Sequence, residues 1–270
     1  MENIIKTKKL KIGYDGLIIV PEFNCEIKKH CITSIIGPNG CGKSTVLKAI
    51  GRIIPHEAGT IIINDVEMKK LKTLQIAKMM AILPQSPTAP SSITVFDLVS
   101  YGRYPYQKGL GKLSKEDKEI INWALNATHM EEYKNRAICN LSGGQRQRVW
   151  IAMALAQQTE IILLDEPTTY LDLNHQLEIL ELLKELNQKN KTTIVMVLHD
   201  LNLASKYSDY LLAMKDGEIV KYGTPKEVFN KEMLENCFQI NGEIFIDQKS
   251  DKPLCVSYEL LRKKGDNDEK

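Results

Sequence analysis

The chain has 270 residues, of which 43% are hydrophobic and 26% are charged, and these proportions are typical of a globular protein. Its 36 Lys and Arg residues face 34 Asp and Glu residues, and a net charge of +2 argues against a protein held on nucleic acid mainly by phosphate neutralisation. No apolar run approaches the ~18 residues needed to span a bilayer, so we expect a soluble cytoplasmic protein. The six cysteines form no C-x-x-C pair, so we expect reduced thiols and neither disulfides nor a zinc site.

Strand-like patterns dominate the first part of the chain. Residues 10–20 and 23–27 alternate in the manner of an antiparallel layer, and residues 31–36 form a continuous apolar run typical of a buried strand. A glycine-rich turn follows, and the spacing then predicts a helix over residues 45–54. Further strands are predicted over residues 59–65 and 80–84.

The middle of the chain has a different character. Residues 86–158 lack strand-like runs, and helical spacing occurs over 96–102, 115–128 and 144–157. We therefore predict a helical subdomain over 86–158, inserted between two parts of an α/β core, 1–85 and 159–260. The whole of 1–260 is then one domain.

Core patterns return after the helical part. An apolar strand is predicted over 161–165, a helix from about Asp172, a strand over 192–198 and a hairpin across Asp216-Gly217. The helix has five leucines on one face: Leu173, Leu177, Leu180, Leu183 and Leu186. Two short helices and a weak strand pair follow, and residues 261–270 are predicted to be a frayed tail.

A glycine-rich loop follows the first buried strand. It fits G-x-x-x-x-G-K-[ST] and consists of Gly37, Pro38, Asn39, Gly40, Cys41, Gly42, Lys43, Ser44 and Thr45. Such a loop wraps a phosphate with its N–H groups, and the helix that follows adds positive partial charge. Lys43 is expected to neutralise the terminal phosphates, and the Ser44 hydroxyl to complete a Mg²⁺ shell. A bulky reagent on the Cys41 thiol is expected to block nucleotide binding.

Polar side chains follow three other predicted core strands. Asp165 is expected to bind the magnesium ion, and Glu166 to orient and polarise the water that attacks the terminal phosphate. Gln85 offers an amide that can contact the magnesium ion or this water. His199, just past the strand 192–198, can hydrogen-bond the γ-phosphate.

A second glycine-rich loop opens another predicted helix, and it consists of Leu141, Ser142, Gly143, Gly144 and Gln145. The ordered set of motifs resembles the nucleotide-binding subunit of ATP-binding-cassette (ABC) transporters: GPNGCGKST, Gln85, LSGGQ, ILLDEP, Leu171-Asp172 and His199. The resemblance implies an α/β P-loop NTPase core with a mixed sheet, an N-terminal antiparallel β layer and an inserted α-helical subdomain. It also implies ATP hydrolysis coupled to transport.

The resemblance further implies how the site is assembled. Two ATPase subunits pair head to tail, so that each ATP lies between the glycine-rich loop of one chain and the LSGGQ signature loop of the other. Tyr14 matches the aromatic residue that stacks on adenine, although by itself it is more typical of a packed strand residue. Asp172 matches the residue that links the two sites. Mg²⁺ then accompanies ATP and is held by Ser44, Gln85 and Asp165.

A narrower resemblance covers residues 8–258. The stretch Gly102–Pro105 and the variant Thr169–Asp172 are similar to ATPases of bacterial importers for iron(III)-siderophores, a group that includes haem and vitamin B12 importers. This implies a homodimer on the cytoplasmic face of the membrane, docked on integral permease subunits and served indirectly by a siderophore-binding protein, with no nucleic acid partner.

Two alternatives to that cargo and role stay open. The first is the same role for haem, vitamin B12 or another metal chelate. The second and more remote one is a soluble ABC ATPase outside transport, which the single glycine-rich loop and the lack of a coiled-coil insertion disfavour.

Overall fold

The computed structural model describes residues 2–14, 16–107, 112–169 and 171–261. Of the predicted tail, only Leu261 falls within these ranges, and the remaining residues lie outside the described part. Within the same ranges, no helix combines the length and the apolar character that crossing a bilayer requires.

The first third of the chain alternates strands with two helices. Its elements are β1 (Asn3–Tyr14), β2 (Leu17–Lys28), β3 (Ile32–Ile36), α1 (Lys43–Ile50), β4 (Ala58–Ile63), β5 (Val66–Glu67), α2 (Thr73–Met79) and β6 (Met80–Leu83). A four-stranded antiparallel sheet has the order β2-β1-β4-β5, which confirms the predicted antiparallel layer. Helix α1 ends at Ile50 and not at residue 54, because Arg52 adopts a φ of 56° that an α-helix cannot continue through.

Helices form the middle of the chain, as predicted. They are α3 (Val95–Ser100), α4 (Lys115–Ala127) and α5 (Gly143–Ala156). Ser114 and Ser142 each begin a helix with a capping box, in which the serine side chain accepts from the third helical N–H. Arg103 lies in the segment between α3 and α4. It forms a buried ion pair with Asp117 of α4 at 2.8 Å and donates to the Ala156 carbonyl oxygen of α5 at 2.8 Å. Arg103 thus joins the segment after α3 to both α4 and α5.

The last part of the chain completes the core. Its elements are β7 (Ile161–Asp165), α6 (Leu173–Asn190), β8 (Thr193–Val197), α7 (Leu201–Tyr207), β9 (Tyr210–Lys215), β10 (Glu218–Gly223), α8 (Pro225–Val228), α9 (Lys231–Met233), β11 (Ile240–Asp247) and β12 (Lys252–Leu260). The predicted hairpin joins β9 and β10 through Asp216 and Gly217, whose φ angles of 49° and 82° suit a tight two-residue turn. Strands β11 and β12 form a separate antiparallel pair.

A six-stranded sheet lies at the centre of the molecule, in the order β10-β9-β3-β8-β7-β6. Its five strands from β9 to β6 are parallel and β10 is antiparallel, so the sheet is mixed, as predicted. Alternate residues of each strand enter different cores: Ile161 and Leu163 pack with α1 and the antiparallel sheet, whereas Ile162 and Leu164 pack with the helices. Both faces are covered, which explains why these strands are continuously apolar.

Helix α6 follows its predicted apolar face only in part. Leu180, Leu183 and Leu186 are buried, and Leu177 is partly buried, but Leu173 is 64% exposed. The prediction for Leu173 is wrong, because the first turn of α6 begins before the helix reaches the packed core.

Candidate functional site

Polar side chains from three strands converge at one edge of the central sheet. Strand β3 leads into the glycine-rich loop, Gln85 follows β6, Asp165 ends β7 and is followed by Glu166, and His199 follows β8. Because these four strands are parallel, their carboxyl ends meet at the same edge, where open α/β sheets bind ligands.

The glycine-rich loop is fixed to its surroundings. A side chain at Gly37 would place its Cβ 2.2 Å from the Met214 carbonyl oxygen of β9, so only glycine fits there. The N–H of Gly217, in the turn between β9 and β10, donates to the Cys41 carbonyl oxygen at 3.1 Å. The buried Lys43 ammonium donates to the carbonyl oxygens of Gly37 and Pro38, each at 2.9 Å. These bonds hold the loop and its cation in place.

The Cys41 side chain does not line the loop opening. It is 3% exposed and packs in the core with α1 and the antiparallel sheet, and burial raises the pKa of its thiol. The structure therefore indicates that a reagent reaches this thiol slowly, and its effect on nucleotide binding stays a prediction. The thiol is screened by the core, and its reactive thiolate form is disfavoured.

Helix α1 brings a hydroxyl to Asp165. Ser44 Oγ donates to Asp165 Oδ1 at 2.6 Å. The other oxygen, Asp165 Oδ2, is buried without a hydrogen-bond partner among the described residues, and the Lys48 ammonium lies 3.9 Å from it. Burial raises the pKa of Asp165, and the Ser44 hydroxyl and the Lys48 charge partly offset this effect.

This donor set suits a magnesium ion. A buried carboxylate oxygen that lacks a partner, next to a serine hydroxyl, offers the hard oxygen ligands that Mg²⁺ prefers. The described residues contain no group of three His, Cys, Asp or Glu side chains that could hold a metal ion by themselves. That is consistent with Mg²⁺, which takes one or two protein ligands and completes its shell with phosphate and water.

Glu166 is held by three side chains. Gln85 Nε2 donates to Glu166 Oε2 at 2.6 Å, and the Thr169 hydroxyl donates to the same oxygen at 3.0 Å. His199 Nε2 lies 2.6 Å from Glu166 Oε1. Glu166 is 9% exposed and has a φ of 54°, a left-handed conformation that costs a residue with a Cβ about 1–2 kcal/mol. Its surroundings therefore over-determine the position of this carboxylate.

The other predicted site residues lie outside this cluster. Tyr14 ends β1 and is 41% exposed. Ser142 caps α5, with Gln145 Oε1 accepting from its N–H at 3.0 Å, and a Cβ at Gly143 would meet no atom within 4 Å. Among the hydrogen bonds of the described residues, none joins this signature loop to the glycine-rich loop.

Asp172 lies beside the signature loop, at the start of α6. It caps the helix by accepting from the N–H of His175 at 3.0 Å, and this bond lowers the pKa of its carboxyl group. The neighbouring Leu171 would lie 3.4 Å from a Cβ at Gly144. The structure therefore places two groups of predicted residues apart, one at the edge of the sheet and one around the starts of α5 and α6.

Sequence reasoning missed two residues of the cluster, Thr169 and Lys48. Thr169 stands three residues after Glu166, a spacing at which a threonine hydroxyl commonly bonds back to a turn. Lys48 stands one helical turn after Ser44 and so faces the same side of α1. Both spacings are visible in the sequence, but neither indicates the partner.

Comparisons with known proteins show the family of the chain. The family model described as ABC transporter matches residues 20–169. The iron(3+)-hydroxamate import ATP-binding protein FhuC of Bacillus subtilis (strain 168) is 55% identical over 260 residues, 96% of this chain and 97% of the relative.

Two solved structures are similar as well. One is an inward-facing conformation of a putative metal-chelate type ABC transporter, with a TM-score of 0.81 and 27% identity over 95% of this chain and 97% of that one. The other is a dimeric post-hydrolysis state of the ATP-binding cassette MJ0796 bound to ADP and Pi. Its TM-score is 0.74 and its identity 30%, over 82% of this chain and 98% of that one.

The family match, this identity and the shared fold show that the chain belongs to the ABC transporter family. Within the family it is the ATP-binding subunit, an ATPase coupled to transport.

Proposed function

We propose that the chain hydrolyses Mg²⁺-bound ATP to drive the uptake of iron(III)-siderophores by a bacterial importer. The observation that carries the proposal is the Glu166 carboxylate, fixed by three side chains at the edge of the sheet where the glycine-rich loop and Asp165 also lie. The named cargo of the relative FhuC, iron(3+)-hydroxamate, supports the cargo class.

The glycine-rich loop binds the phosphates of ATP. Backbone N–H groups of Gly40, Gly42 and their neighbours surround the β- and γ-phosphates, helped by the N-terminus of α1. Lys43 already points its ammonium at the loop carbonyls and exchanges these neutral partners for phosphate oxygens, a charge-assisted contact. The exposed ring of Tyr14 stacks on the adenine.

Ser44 and Asp165 would hold the magnesium ion, with Gln85 as the third residue of the predicted set. A Mg²⁺ ion held there would supply positive charge to offset the negative charge that develops on the phosphate during transfer. One oxygen of Asp165 accepts a hydrogen bond from the Ser44 hydroxyl, and the other has no hydrogen bond to the described residues. The second oxygen could therefore bind the ion without breaking an existing hydrogen bond.

Glu166 orients the attacking water and accepts its proton. Its Oε2 carries two donors and its Oε1 faces His199, so the carboxylate is held in one rotamer before substrate arrives. Gln85 senses the γ-phosphate through the same carboxylate. His199 hydrogen-bonds the γ-phosphate or the water.

The active form is a homodimer with two ATP molecules between its chains. The Ser142 side chain and the backbone at Gly143 and Gly144 contact the ATP held by the partner's glycine-rich loop, and Asp172 links the two sites. The open space at Gly143 and the dimeric state of the similar cassette MJ0796 support this arrangement.

The membrane partner is a permease that docks on the helical subdomain. We place the contact at the segment from Gln85 to Tyr106, because it connects a residue of the Glu166 cluster to exposed aromatic rings such as Tyr104, which is 75% exposed. The subunit is then peripheral, at the cytoplasmic face of the membrane, and a siderophore-binding protein delivers the cargo from the other side.

Replacing Glu166 with glutamine tests the chemistry. Because glutamine keeps the shape but cannot accept a proton, E166Q should bind ATP and accumulate the dimer while kcat falls at least ~100-fold. Steady-state phosphate release measures kcat, and ATP-dependent sedimentation measures the dimer. Chelation of Mg²⁺ is a second test, and it should also abolish ATP hydrolysis by the wild-type chain. Hydrolysis by E166Q near the wild-type rate would show that Glu166 is not the base.

The same variant tests the cargo in cells. A deletion strain complemented with E166Q should fail to grow where a ferric siderophore is the only iron source, and should grow normally on ferrous salts. Growth failure confined to haem or to conditions that require vitamin B12 would instead select one of the alternative cargoes.

A further inference from the structure

Thr169 contacts Glu166 through both its side chain and its backbone. Its hydroxyl donates to Glu166 Oε2 at 3.0 Å, and its N–H donates to the Glu166 carbonyl oxygen at 3.2 Å. The two residues are three apart, in the turn between β7 and α6. The hydroxyl bond runs within one short turn and forms in the single chain.

The two oxygens of Glu166 have different surroundings. Oε2 accepts from Gln85 at 2.6 Å as well as from Thr169, whereas Oε1 faces His199 alone among the described residues. A carboxylate oxygen has about two lone-pair directions, so Oε2 is fully used and Oε1 keeps one free. The free direction is the one that can accept a proton from water.

We propose that Thr169 is a positioning residue for the catalytic step, and that its hydroxyl keeps Oε2 occupied so that Oε1 receives the proton. The inference rests on the proposed role of Glu166 as the base. Gln85 supplies the other donor to Oε2, but it belongs to the segment that we assign to permease docking. Thr169 lies in the same turn as Glu166, so its bond to the carboxylate does not depend on that segment.

The test compares two substitutions in the full chain. Val keeps the shape of Thr169 and removes the hydroxyl, whereas Ser keeps the hydroxyl. We expect T169V to lower kcat for ATP hydrolysis about 10-fold, the effect of one hydrogen bond to a charged group, with KM for ATP changed less than about twofold. T169S should rescue most of the lost kcat. T169V should also accumulate ATP-bound dimer, because hydrolysis ends that state.

A matched control removes a buried hydroxyl elsewhere. Thr128 is buried, and its hydroxyl donates to the Ala124 and Leu125 carbonyl oxygens at the end of α4. T128V should lower the thermal midpoint without changing kcat, whereas T169V should change kcat with a smaller change in the midpoint. This pair separates positioning from stability.

Three outcomes would overturn the proposal for Thr169: a wild-type kcat in T169V, an increase in KM with unchanged kcat, or an equal loss of kcat in T169S. Each leaves the proposed function intact if the wild-type chain hydrolyses ATP and E166Q does not. If wild type and E166Q are equally inactive, or equally active, the proposed function itself fails.

Discussion

At the scale of single residues, the cysteines show that a residue's place in a sequence motif does not determine whether its side chain is exposed. Cys41 belongs to the glycine-rich loop by sequence and to the hydrophobic core by position. Cys139 is exposed and Cys31 is half-buried, whereas burial raises the pKa of Cys25 to about 12 and that of Cys237 to about 11. All six thiols are free.

These differences predict the order in which the thiols react. With a thiol reagent at pH 8, we expect Cys139 to be labelled first, Cys31 more slowly, and Cys41 only on the time scale of unfolding, roughly 100-fold later or more. Mass mapping of quenched samples measures the order, and C139S should abolish the fast phase. Labelling of Cys41 at the rate of Cys139 would contradict the buried position.

At the scale of elements, Arg103 connects three segments of the helical middle part of the chain. Its guanidinium forms an ion pair with Asp117 of α4 and donates to the carbonyl oxygen of Ala156, the last residue of α5. The guanidinium also stacks on Tyr106, with its Cζ atom 4.2 Å from the ring centroid. Burial alone would raise the pKa of Asp117, but hydrogen bonds from Arg103 and Ser114 outweigh it and lower the pKa. The pair therefore stabilises the packing of these helices at neutral pH, and this contribution is lost as the pH falls through the lowered pKa of Asp117.

Removing Arg103 should weaken the packing of these helices. R103M leaves the Asp117 carboxylate buried without its partner, so we expect a loss of about 3–5 kcal/mol in the free energy of unfolding, measured by urea denaturation. R103M/D117N should recover part of it because the stranded charge is gone. K115M, which breaks the exposed Lys115–Glu119 pair, serves as the control and should have little effect. Equal stability of R103M and wild type would show that the pair carries no net energy.

The elements themselves were largely predictable from the sequence. Motif spacing located the glycine-rich loop, and continuous apolar runs located the strands whose ends bring Gln85, Asp165, Glu166 and His199 together. The bonds of Thr169 and Arg103 were not predictable, because a sequence shows which polar groups exist but not which of them meet. Periodicity likewise gives the inward side of α6 but not where its packing begins, which is why Leu173 was misplaced.

At the scale of the whole molecule, the proposed division of the site into two halves, which lie apart within one chain, has a measurable consequence. Because a Cβ at Gly143 meets nothing within 4 Å, G143L should fold with an unchanged thermal midpoint. If the partner's ATP packs against this position, the added side chain should block ATP-dependent dimerisation and lower kcat at least ~10-fold, while ATP still binds to the separate chain. Sedimentation in an E166Q background measures the dimer. A normal dimer in G143L would contradict the proposed head-to-tail arrangement.

The strand that leads into the glycine-rich loop pairs with strands that come much later in the sequence. Strand β3 pairs with β8 on one side and β9 on the other, and both come from the last third of the chain. During synthesis, residues 32–36 leave the ribosome long before either neighbour exists, and the turn at Gly217 that bonds the loop is made later still. The glycine-rich loop therefore acquires its full set of neighbours only late in synthesis, because these pairings join segments that are distant in sequence and close slowly for entropic reasons. We therefore expect ATP binding only in chains whose synthesis has passed the β9–β10 hairpin.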